Sequence, residues 1–175
     1  MLRRKERDQV EVYDVIAYRL QRCLTVPNSR GFDDMTSCEH YFCIFFSERI
    51  VDCIHRLDAQ GAATQWAVKD EPCGLSVNAQ HKVLVACNVA RKIKQSTMLV
   101  QRTCSISAPG DIVKSWHTIQ TRPGQLIVSL YVTVTLSMIS ADGRHIVQSH
   151  GRQPAGSDTG QYDVPARLAV YGSSG

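Results

Sequence analysis

Aromatic residues make up only 7% of the 175-residue chain, and extended helical periodicity is nearly missing. No stretch approaches the roughly 18 consecutive apolar residues that a membrane-spanning helix requires, which excludes such a helix. The basic start (Arg3, Arg4, Lys5 and Arg7) is not followed by an apolar segment, so it reads as neither a signal peptide nor an anchor. Catalytic signatures are absent too: there is no G-x-S-x-G elbow, HExxH, P-loop or G-x-G-x-x-G. These absences leave a non-enzymatic module that binds no cofactor and no membrane as the expectation.

What is present is ordinary globular composition, with 43% hydrophobic and 21% charged residues. The length suits about one domain, able to bury roughly 70% of its extended-chain surface. The net charge of +4 is mild for a dedicated nucleic-acid binder, and DNA is not expected as a partner. Seven cysteines run from Cys23 to Cys104 without an export signal. Unbridged thiols in a reducing, cytoplasmic setting are the expectation.

Along the chain the signals are short strands and turns. Val10 to Leu24 reads either as a helix or as two strands, Val10–Tyr13 and Arg19–Leu24. The next strands fall at Tyr41–Phe46, Ile50–Leu57, Gln65–Val68, Leu75–Val77, Val83–Cys87, Val89–Lys94 and Val100–Ile106. Thr121-Arg122-Pro123-Gly124 is a turn, because Pro fixes one φ and Gly relaxes the next position. Gln125 to Ile139 is strongly β and the strand runs on through it, with Leu130, Val132, Val134, Leu136 and Met138 facing one side and Ser129, Tyr131, Thr133, Thr135 and Ser137 the other. Ala141-Asp142-Gly143-Arg144 is a further turn, and His145–Ser149 a further strand.

Gly74-Leu75-Ser76-Val77, Trp116-His117-Thr118-Ile119 and Arg167-Leu168-Ala169-Val170 look like one position in successive units. Val77 and Ile119 are 42 residues apart, Ile119 and Val170 are 51, and a related start lies at Asp34-Met35-Thr36-Ser37. Units of three or four short strands at this period predict β-propeller blades. A β-sandwich with uneven loops is the competing reading.

Residues from about Val10 to Val170 resemble the NHL-repeat family, the six-bladed (TolB-like) β-propeller found at the C-terminus of tripartite-motif proteins. The matching stretches are Leu24–Pro27, Asp34–Cys38, Val51–Leu57, Gly74–Val77, Val89–Ile93, Met138–Gly143 and Gly156–Pro165. The resemblance implies an all-β, incomplete propeller of about three blades plus a partial start over residues 10–171. A disordered basic tail (1–9) precedes it and a flexible terminus (172–175) follows. The same resemblance favours strands over a helix at Val10–Leu24. In place of the family's polar loop, Val128 to Leu136 runs on as strand.

The resemblance implies a protein-binding module, which would present substrates for ubiquitin transfer if the full protein carries a RING. The turns at Asn78–Lys82 and Arg122–Gly124 and the loop at Gly151–Asp163 are the candidate contacts. Single-stranded RNA is the alternative partner. Arg91, Lys92, Lys94 and Arg102 would then contact phosphates, in a stretch without acidic residues from Asn88 to Gly110. A truncated ring would expose apolar blade faces, so self-association is expected if no further blades exist. His117 is expected near a propeller face. Cys38, His40, Cys43, Cys53 and His55 are zinc-type residues within 18 positions, but they match no strong zinc pattern and read as core or strand-surface residues.

Overall fold

The computed structural model describes residues 2–4, 8–14, 16–89, 92–97, 103–107, 115–130 and 135–151. Fifteen strands and one short 3-10 turn account for the regular structure in them. β1 (Leu2–Arg4), β2 (Gln9–Tyr13) and β3 (Leu20–Thr25) form a three-stranded sheet. Three four-stranded sheets follow. They comprise β4 (Asp34–Cys38) to β7 (Ala63–Ala67) through β5 (Cys43–Glu48) and β6 (Cys53–Asp58); β8 (Pro72–Val77) to β11 (Thr103–Ser107) through β9 (Val83–Cys87) and β10 (Lys92–Ser96); and β12 (Ser115–Gln120) to β15 (Ile146–Gly151) through β13 (Leu126–Leu130) and β14 (Thr135–Ile139). Every pairing is antiparallel between sequential strands, so each sheet is a simple up-and-down meander.

The sheets stack side by side, with β8 packed between β4 and β12 and the three serving as the inner strands. Gly74–Val77 and Trp116–Ile119 thus occupy inner strands of adjoining sheets, as the repeat predicted. The strand register refines the spacing. Val77 opposes Val83 as Gln120 opposes Leu126, so equivalent positions lie 43 residues apart rather than 42. Both inner strands carry an irregularity at the same place, between Pro72 and Gly74 and between Ser115 and His117.

Three apolar cores lie between consecutive sheets. Val10, Val26, Phe32, Phe46 and Leu57 fill the first. Cys38, Cys43, Phe45, Ile54, Leu75, Val83 and Val85 belong to the second. Leu84, Ile93, Leu126, Val128, Leu130 and Ile139 form the third. Because successive side chains on a strand point to opposite faces, Phe45 and Phe46 serve two different cores, as do Val83 and Leu84. A sheet covered on both faces needs apolar side chains at every position, which is why Cys-Ile-Phe-Phe and Val-Leu-Val-Ala-Cys are unbroken runs.

Several expectations are corrected. Residues 2–4, expected in a disordered tail, pair with Val10–Val12 as β1, because the outer edge of β2 otherwise leaves its backbone groups unpaired. The strand expected from Ile50 starts at Cys53. Arg49–Val51 is a 3-10 turn closed by Asp52 in the left-handed region (φ 55°). The single long strand expected from Gln125 to Ile139 is two strands, β13 and β14, which pair with each other from Leu126 opposite Ile139 to Leu130 opposite Thr135. A four-stranded sheet needs this reversal, and nothing in the alternating pattern marks it. Val10 to Leu24 resolves into β2 and β3, with Val10 opposite Leu24. No helix among the described residues is long and apolar enough to cross a membrane. The Gly156–Pro165 segment and Arg167–Val170 lie outside the described residues, as does 172–175.

Candidate functional site

The inner strands are held in place by polar contacts between sheets. Asp34 Oδ2 accepts the Leu75 backbone N–H at 2.9 Å, and His117 Nε2–H donates to the Leu75 carbonyl at 2.9 Å. His117 Nε2 also lies 3.6 Å from Asp34 Oδ2. Three successive inner strands therefore meet at Leu75. Ser76 Oγ donates to the Thr118 carbonyl (2.5 Å), Asn78 Nδ2 to Gln120 Oε1 (2.7 Å) and Ser47 Oγ to the Cys73 carbonyl (2.6 Å). His117 is buried, so its role is to align strands; the expectation of a face contact does not hold. Gly74 makes this spacing possible. A Cβ there would lie 2.0 Å from the Trp116 carbonyl oxygen.

Aligned inner strands bring their following turns to one face. Residues 39–42 (β4 to β5), 78–82 (β8 to β9) and 121–125 (β12 to β13) all connect an inner strand to its neighbour in the same sense. Asn78 Oδ1 accepts the backbone N–H groups of Gln80 and Lys82. Gly124, at φ 91°, takes the left-handed position that closes 121–125. The candidate turns Asn78–Lys82 and Arg122–Gly124 thus share a face. The loop Gly151–Asp163 lies outside the described residues apart from Gly151.

Two of these turns carry an aromatic group that bridges two sheets. The rings of His40 and His81 stack with centroids 4.0 Å apart and planes 6° from parallel. Tyr41 meets both edge-on, at 4.6 and 6.0 Å. Beside them Phe42, at φ 47°, is 74% exposed. A shallow hollow next to it is lined by Arg22, Ser37, Cys38, Phe42, Cys43 and Asp58. Phe42 and the imidazole pair escaped sequence reasoning. Tyr41 and Phe42 read as the start of a strand, and the His40–His81 contact joins residues 41 positions apart.

Of the basic candidates, Lys92 is exposed, whereas Lys94 is buried. Lys94 Nζ lies 2.8 Å from Asp70 Oδ2 and donates to the Lys69 carbonyl, tying β10 to the connection between β7 and β8. That contact with Lys94 holds the Asp70 carboxyl below its usual range. The two lysines share a strand but do not form one exposed patch. Arg91 and Arg102 lie outside the described residues.

The five zinc-type residues do not converge. Cys38 and Cys43 oppose each other in the second core, and His40 belongs to the ring stack. Cys53 and His55 instead meet Glu48. His55 Nε2 is 2.8 Å from Glu48 Oε2 and 3.1 Å from Cys53 Sγ, and all three residues are buried. Burial pushes the Cys53 thiol up to about 11, with the charge of Glu48 adding to the effect. Glu48 was missed because only the β5–β6 register places it directly opposite Cys53.

Meander sheets stacked around shared inner strands define a β-propeller, of which the described residues form an incomplete ring. Solved structures bear this out. Virginiamycin B lyase from Staphylococcus aureus superimposes with a TM-score of 0.69 at 12% identity, over 85% of this chain and 50% of that one. A protein of unknown function from Bacteroides caccae gives 0.65 at 12%, over 83% and 55%. The β-propeller domain of Cps50 (Swd1) from Myceliophteria thermophila gives 0.62 at 13%, over 83% and 49%. The chain spans about half the length of these structures, and at such identities the likeness establishes the fold alone. No family model matches the sequence, and no curated protein matches it.

Proposed function

We propose that this propeller is a non-enzymatic, protein-binding module, and that the face formed by residues 39–42, 78–82 and 121–125 is its contact surface. The observation that carries this reading is the ring group His40, Tyr41 and His81 with exposed Phe42 beside it, spanning two sheets. Aromatic side chains held rigidly at a surface are the usual anchors of protein recognition. The stretches shared with NHL repeats support an NHL-type propeller. In a protein that also carries a RING, this face would select substrates for ubiquitin transfer. Seven unbridged cysteines support a reducing, cytoplasmic setting.

Selection of a displayed peptide library against the purified chain tests the reading. Selected peptides are expected to bind with little salt dependence, and Phe42→Ala and His81→Ala should abolish binding without changing the fold. Failure to enrich any peptide, or peptides indifferent to both substitutions, would overturn it. Steeply salt-dependent binding of a single-stranded RNA oligonucleotide, weakened by Lys92→Ala, would favour the RNA alternative instead.

A further inference from the structure

The hairpin of β5 and β6 places a thiol, an imidazole and a carboxylate on one side of one sheet. Glu48 and Cys53 are direct cross-strand partners, and His55 follows two positions later on the same side. The group lies at the edge of the first core, beside the connection from β3 to β4. There the Arg30 backbone N–H donates to Glu48 Oε1 at 2.7 Å. That contact occupies one carboxylate oxygen and turns the other toward His55 Nε2 at 2.8 Å.

We propose that Glu48 Oε2, Cys53 Sγ and His55 Nε2 form a zinc(II) site, with a water as fourth ligand. The donor set is suited to zinc, which takes sulfur, nitrogen and oxygen ligands at about 2.0–2.3 Å in tetrahedral geometry. Donors on such an ion stand roughly 3.3–3.7 Å apart. Here the adjacent separations are 3.1 and 2.8 Å, and all three donor atoms lie within 4.8 Å of one another. Side-chain shifts under about 1 Å would admit the ion. The Arg30 N–H supplies the supporting hydrogen bond that liganding carboxylates commonly receive. Bound there, zinc would tie the β5–β6 hairpin into one unit, and the bound thiol would be ionised as thiolate.

Exposed Cys23 and Cys104 could capture metal adventitiously, so the parent protein for the test is the full chain carrying Cys23→Ser and Cys104→Ser. After chelator treatment it is titrated with zinc chloride against a competing indicator, and separately with cobalt(II). One zinc per chain, and a cobalt spectrum with a thiolate charge-transfer band and tetrahedral intensity, are the expected results. Adding Cys53→Ser should remove the band and weaken zinc binding by more than about 100-fold, beyond the usual effect of losing a supporting contact. Adding Glu48→Gln should weaken zinc binding while leaving the band. No zinc uptake by the parent, or a parent cobalt complex without the thiolate band, would overturn the proposal even if both further variants fail to fold. Equal affinity in a folded Cys53→Ser variant would overturn it as well.

Discussion

His117 Nε2 lies 2.9 Å from the Leu75 carbonyl oxygen, and Asp34 Oδ2 lies 2.9 Å from the backbone nitrogen of the same residue. Inner strands of three consecutive blades are thereby keyed to one peptide unit. Replacing His117 by Ala leaves the buried Leu75 carbonyl without this donor. Such a loss costs about 1–3 kcal/mol, measurable by urea denaturation. An unchanged midpoint would show that apolar packing alone aligns the blades.

Gly74 sits where β8 approaches the backbone of β12 closely. A Cβ 2.0 Å from the Trp116 carbonyl oxygen has no rotamer to escape into, so β8 and β12 must separate. Gly74→Ala is expected to destabilise the chain by about 1–3 kcal/mol, and Gly74→Val by more. A Cβ on Gly61 would have nothing within 4 Å of it, so Gly61→Ala should cost only the strain of its φ of 89°. Comparison of the thermal melts checks the ordering.

The Lys94–Asp70 pair has a pH signature. The folded-state carboxyl of Asp70 is held below its ordinary value near 3.8, chiefly by the contact with Lys94. A depressed acid contributes stability that is present above the unfolded value and lost as pH falls through the lower folded value. Acid unfolding should therefore be steeper below about pH 4 in the wild type than in Lys94→Met. Near neutral pH the difference should be about 1 kcal/mol or less, because Asp70 is 37% exposed. Identical acid profiles would refute the pairing.

Thiol reactivity should divide the seven cysteines into two classes. Cys23 and Cys104 are exposed, and the other five are buried. Burial pushes Cys73 up to about 12 and Cys87 up to about 11, leaving almost no thiolate at neutral pH. A colorimetric thiol reagent should titrate two groups rapidly in the native chain and the rest only in denaturant. More than two fast thiols would contradict the burial of the other five.

Phe42 offers the complementary case of a surface residue. Its exposure predicts that Phe42→Ser changes stability by no more than about 0.5 kcal/mol. A larger loss would mean that the ring supports the fold rather than a partner.

Much of this architecture was legible in local sequence. Pro123-Gly124 and Asp142-Gly143 mark turns, because few other residues adopt the backbone angles those turns require. The likeness between Gly74–Val77 and Trp116–Ile119 revealed the repeat, since each repeating unit must present the same inner strand. What the residue pattern could not reveal was contact between segments distant along the chain. Ser129 to Met138 alternates without a break, and only the pairing of Leu130 with Thr135 shows where the chain reverses. Lys94 looked like a surface cation until Asp70, from another strand connection, was placed against it. Glu48 acquired meaning only through its register with Cys53. Local torsional preference determines strands and turns within a few residues, whereas register and stacking depend on side chains that meet only after the sheets assemble.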